Sequence, residues 1–166
     1  MKRNIKIKSL VNPFGISLIE VMIVVAITGV IIALVLPDFN RLIGRYSLEC
    51  VAREMVSDIR ALQQNAIKDE SFGYCVLFDN AADCYQLINT GTGVNAYKTI
   101  KLPAGVNLER STFDQTNDKR LFFTASGNPF GGIGGHITLQ DRVTEDYLYV
   151  IIDSVGRVRI SKSAPK

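Results

Sequence analysis

The sequence lacks the groupings on which most site chemistry depends. It has one histidine, His136, among 166 residues, and no serine or cysteine motif is tied to it, so a nucleophile–base pair has no signature. The three cysteines, Cys50, Cys75 and Cys84, form no C-x-x-C pair, and without a second histidine that excludes a recognisable zinc site. None of the 16 acids falls in a spacing that marks an acid–base couple. The glycine-rich stretch SGNPFGGIGGH lacks G-K-[ST] and a strand–loop–helix context, which leaves a flexible surface loop rather than a phosphate cradle. The reading is a chain with no catalytic residue, no metal and no cofactor, hence not an enzyme.

Acids are also missing from the first fifteen residues, which carry Lys2, Arg3, Lys6 and Lys8. The formal net charge is +3, and four of the positive charges sit in that leader, so the remainder carries −1 and is not globally basic. Next comes an apolar run, Ile16 to Leu36, interrupted only by Ser17, Glu20, Thr28 and Gly29. As a helix rising ~1.5 Å per residue it reaches about 32 Å, enough to cross a hydrocarbon core. The positive-inside rule keeps the N-terminus in the cytoplasm and sends the C-terminal part across. A secretory signal has a shorter apolar region and a small-x-small cleavage site; this run ends in LVLPDF and has neither.

Glu20 is the anomaly in that run. A carboxylate at the bilayer centre costs about 2.5–3.5 kcal/mol on insertion scales, and such residues usually have a partner. A cut between Gly15 and Ile16 would make Glu20 the fifth residue of the new chain and place a free ammonium at Ile16. The two charges could pair, most usefully between neighbouring subunits.

Gly15 followed by ISLIEVMIVVAITGVIIALVLP resembles the prepilin signal of type IV pilins and type II secretion pseudopilins. The resemblance implies cleavage between Gly15 and Ile16 by prepilin peptidase, N-methylation at Ile16, an assembly role for Glu20 and a helix bend at Pro37. Where the family prefers phenylalanine as the new first residue, this chain has Ile16. The resemblance also implies the partners: other pilin or pseudopilin subunits, the peptidase, an inner-membrane assembly platform and membrane lipid. The implied location is the inner membrane, single-pass, with the C-terminal domain periplasmic and later in a filament.

Beyond Pro37, the apolar residues Phe39, Leu42, Ile43, Tyr46, Met55, Val56, Ile59, Leu62, Ala66 and Ile67 fall mostly at steps of three and four. They predict an amphipathic helix to about Lys68 that lies on a sheet. After Glu70 the period shortens. FGYCVLF, CYQLIN, AYKTIKL, KRLFFT, HITLQ, DYLYVII and RVRIS read as about seven short strands punctuated by turn residues, hence a mainly antiparallel sheet. The expected fold is α+β, with a leader at 1–15, a transmembrane and assembly helix at 16–36, an amphipathic helix at 37–70 and a β-rich, pilin-type domain at 71–166. VSDIRALQQNAIK, LFFTASGNP and VIIDSVGRVRI resemble, in order, segments of the GspH/FimT branch of minor pilins and pseudopilins.

Two site expectations remain. If Phe78 faces Ala81 across the turn at Asp79–Asp83, the register sets Cys75 opposite Cys84, where a disulfide fits; the alternative is two small, half-buried thiols. Cys50 is then left over as an apolar helix position. At the C-terminus, Arg157 and Arg159 lie two apart on an expected strand and share a face, with Val158 and Ile160 toward the core and Gly156 making the turn after Asp153. GRVR is similar to the G-R-x-R motif through which some FimT-type pilins bind DNA, which adds DNA as an implied partner. The alternative is that the arginines pair with acids such as Asp153.

Overall fold

The computed structural model describes residues 17–92, 96–115 and 120–165. The expected cut at Gly15/Ile16 and methylation at Ile16 lie outside the described residues. A helix, α1, runs Leu18–Lys68 without interruption. Among the described residues eight strands follow: β1 Tyr74–Asp79, β2 Cys84–Asn89, β3 Ala96–Lys101, β4 Val106–Ser111, β5 Arg120–Phe122, β6 Gly135–Asp141, β7 Tyr147–Ile152 and β8 Val158–Ser161. The chain divides into two compact units with the boundary after Pro37.

In the second unit the strands form two antiparallel sheets, ordered β3-β2-β1-β5 and β4-β6-β7-β8, where one sheet of about seven strands was expected. The strand missed is β4. Its sequence, VNLERS, has a bulge between Leu108 and Arg110, so its buried residues are Val106, Leu108 and Ser111. The extra residue breaks the alternation that identifies a strand in sequence.

The helix supplies a stripe of Leu48, Ala52, Met55, Ile59, Leu62 and Ala66, all buried, at successive steps of four, three, four, three and four. These join Phe78, Tyr85, Ile137, Leu139 and Val150 in one core that draws on both sheets. Each large side chain so buried contributes roughly 1.5–3 kcal/mol. The stripe stops short of the expected one. Phe39, Leu42, Ile43, Tyr46 and Ile67 are exposed and belong to no core of this domain.

Polar contacts fix the helix to the sheets. Tyr85 Oη donates to Asp58 at 2.8 Å, and Lys98 Nζ donates to the same carboxylate at 2.8 and 3.0 Å, tying α1 to β2 and β3. Burial and this bond push the Tyr85 phenol far above its ordinary range, so it stays a donor. On the other side, Arg60 donates to the Val158 carbonyl at 3.1 Å. Gln63 Nε2 spans the Gly127 and Gly156 carbonyls at 3.0 and 2.7 Å. Nearer the start of this unit, Gly44 lies against Asp141, a fully buried carboxylate at the β6–β7 turn.

The disulfide expectation is corrected by the β1–β2 register. Phe78 pairs with Tyr85, not Ala81, because Asn80–Asp83 all lie in the connection, where the Asp79 carboxylate accepts from the amides of Ala81 and Ala82. Cys75 therefore faces Ile88 and Cys84 faces Asp79, and no disulfide joins them. Cys50 is also corrected: it lies on α1 but is exposed.

Candidate functional site

Two regions carry groups that the domain's own core does not use. The first is the apolar part of α1. From Leu18 to Leu36 every described side chain is exposed, and the segment is long and apolar enough to cross a membrane. Its polar groups are few. Thr28 returns its hydroxyl to the Val24 carbonyl, which meets its hydrogen-bonding need within the helix. Glu20 sits in the first turn, where a carboxylate complements the positive end of the helix dipole. It has no ion pair among the described residues. Ser17 closes that turn by accepting from the amides of Glu20 and Val21 at 3.0 and 3.3 Å.

The second region is the C-terminal hairpin. Gly156, at φ +78°, donates to the Asp153 carbonyl at 2.8 Å, and Asp153 donates to Arg157 at 3.0 Å. This is the turn expected after Asp153. Val158 is buried and Arg157 and Arg159 are exposed, as their alternation requires. Ile160 departs from the pattern at 38% exposure, because β8 is the last strand of its sheet and has no further strand beside it among the described residues. The expected alternative, an ion pair from either arginine to Asp153, is absent among the described residues.

What lies beside these arginines is not visible in the sequence. Arg53 and Arg60 of α1 line the same recess as Arg159 and Ile160, a trough of about 570 Å³. Arg53 and Arg60 are seven apart, two helical turns on one face. That spacing is visible in sequence, but which strand runs beside it is not. An adjoining recess of about 200 Å³ continues to Lys162 and Glu49.

His136 belongs to neither region. Its ring meets Tyr149 edge-on at 6.0 Å. Burial, helped by the nearby charge of Arg110, lowers its proton affinity. The glycine-rich loop that precedes it is partly built: Thr124 and Asn128 bond each other across a turn, Phe123 bridges to Pro129, and Gly131, Gly132 and Gly134 are exposed while Gly135 is half-buried.

No protein-family model matches this chain, and no curated protein matches it. Solved structures do. The type IV minor pilin FimU of Pseudomonas aeruginosa superposes with a TM-score of 0.58 at 14% identity, over 74% of this chain and 95% of that one. The minor pseudopilin EpsH from the type 2 secretion system of Vibrio cholerae gives 0.55 at 13% identity, over 69% and 96%. A long N-terminal helix followed by antiparallel sheets is thus the fold this chain shares with minor pilins and minor pseudopilins.

Proposed function

We propose that this protein is a minor subunit of a type IV pilus or a type II secretion pseudopilus, structural rather than catalytic in role. The observation that carries the reading is an apolar helical segment, exposed over its whole surface, ahead of a domain that already has its own core. Such a segment needs lipid first and other helices afterwards. The protein waits in the inner membrane as a single-pass subunit, N-terminus cytoplasmic and β domain periplasmic, until the assembly platform draws it into a filament. Prepilin peptidase cuts between Gly15 and Ile16 and methylates Ile16. The freed ammonium attracts Glu20 of a neighbouring subunit, which offsets the cost of holding that carboxylate in lipid.

Intact-mass measurement in cells with and without prepilin peptidase tests this. The expected mature chain starts at Ile16 and carries one added methyl group, only where the peptidase is present. The same full-length mass in both strains overturns the reading. Glu20→Gln should leave membrane insertion intact and abolish incorporation into filaments.

The exposure of Arg157 and Arg159, and their lack of an acidic partner among the described residues, favours a second reading. In it, this filament subunit holds DNA electrostatically for uptake, and the hold weakens with salt. Gel shifts with the wild type and Arg157→Ala/Arg159→Ala should differ; equal shifts reject it.

A further inference from the structure

We propose that the trough between α1 and β8 binds an extended segment of a partner polypeptide in which acidic and apolar residues alternate, and that this segment adds to β8 as a further strand. Among the described residues, strand β8 is paired on one side only, to β7. The other side of an edge strand presents backbone groups that a sheet neighbour would satisfy. One of them, the Val158 carbonyl, takes its hydrogen bond from the Arg60 guanidinium instead, a side chain standing where a strand amide would be.

The trough fits such an occupant in size and charge. Between Arg53 and Gln64 it follows α1 for about 16 Å, the length of roughly five extended residues. Its two recesses share Arg53 and Ile160. Their rims carry Arg53, Arg60, Arg159 and Lys162 against one acid, Glu49, which lies 3.2 Å from Arg53. This excess of positive charge stands on a chain whose net charge beyond the leader is −1. The floor includes Val56, Ala61 and Ile160. A strand presents alternate side chains to opposite faces, so carboxylates could meet the rim while apolar residues meet the floor. A nucleic acid would use the cations but neither the strand edge nor the apolar floor, which is why a polypeptide is the occupant that fits. The binding is independent of the filament reading; it shares Arg159 with the DNA reading, and competition with an oligonucleotide separates the two.

The test uses the full chain in detergent and a fluorescein-labelled peptide of about eight residues alternating glutamate and valine, followed by anisotropy. Binding is expected, with loss by at least about tenfold for the lysine–valine analogue and for a peptide methylated on alternate backbone amides. Arg53→Glu/Lys162→Glu should lose binding to the same extent. Both side chains are exposed and the change trades the surface Arg53–Glu49 pair for a like-charge pair, so the thermal unfolding midpoint should fall by no more than a few degrees. Arg159→Ala in place of that pair gives a second variant should the first unfold. Equal binding by the methylated peptide refutes strand addition. Equal binding by a folded charge variant, or displacement of the peptide by an equimolar single-stranded oligonucleotide, refutes the proposed occupant.

Discussion

Replacing Gly44 by alanine sets two effects of opposite sign against each other. In a helix interior, alanine is better than glycine by about 1 kcal/mol, so propensity alone says Gly44→Ala stabilises. The structure says the reverse. A Cβ on Gly44 would stand 2.5 Å from Asp141 Oδ2 and 2.9 Å from Oδ1, well inside contact distance. The carboxylate is fully buried. It cannot retreat freely, because it accepts from the Val143 amide at 3.2 Å, the Thr144 amide at 3.2 Å and the Thr144 hydroxyl at 2.5 Å. Hydrogen bonds to a charged group are worth about 1.5–3 kcal/mol each, so losing one outweighs the propensity gain. The expected net loss is about 0.5–2 kcal/mol. Urea unfolding followed by circular dichroism is the assay, since the chain has no tryptophan to report by fluorescence. The decisive comparison is a cycle with Asp141→Ala. Once the carboxylate is gone, Gly44→Ala should turn stabilising by up to about 1 kcal/mol. A stabilising effect in both backgrounds would refute the contact.

Gly156→Ala should cost about 2–3 kcal/mol in thermal unfolding, because φ is +78° and the new Cβ would lie 2.6 Å from the Gly127 carbonyl oxygen that Gln63 also holds. Tyr85→Phe removes the buried donor to Asp58 and should cost about 1–2 kcal/mol, whereas Lys98→Ala, at a half-exposed ammonium, should cost under about 1 kcal/mol; denaturant midpoints of the two variants give the order. Asp146 has its proton affinity depressed by the bond from Arg45 and then by Thr144. Its contribution is therefore complete above the unfolded carboxylate value of about 4 and is lost as pH falls through the lower folded value, and Arg45→Ala should flatten that acid limb of a stability–pH curve. His136 is held neutral by burial, so the unfolded chain takes up a proton first; stability should fall as pH drops below about 6.5 and level once the folded imidazole protonates, a limb that His136→Gln removes.

Seven of the eight strands and the long helix are legible in the sequence because their signals are local: a period of two, a period near 3.6, and turn residues between. What escapes is set by partners distant in the chain. The two strands of the β1–β2 hairpin are marked in the sequence but its register is not, since placing four residues, Asn80–Asp83, in the connection moves Cys75 from Cys84 to Ile88. The arginines of GRVR are visible in sequence, while Arg53 and Arg60 join Arg159 only because α1 lies along β8.

The helix shows the same limit most clearly. Phe39, Leu42, Ile43 and Tyr46 repeat at helical steps as faithfully as Met55, Ile59 and Leu62, yet the first group is exposed and the second is fully buried. Periodicity marks residues that need covering but not what covers them. A chain under selection only for its own core gains nothing from an exposed run of that kind, which tends toward aggregation. The surplus is accounted for if the cover comes from other helices in an assembly, as the proposed filament requires. Charge on that face then becomes the discriminating perturbation. Leu42→Glu should leave the unfolding midpoint of the domain unchanged, because the side chain is already 63% exposed, and should block incorporation into filaments. An unchanged yield of filament-bound protein would leave the exposed stripe without a function and would count against the assembly reading.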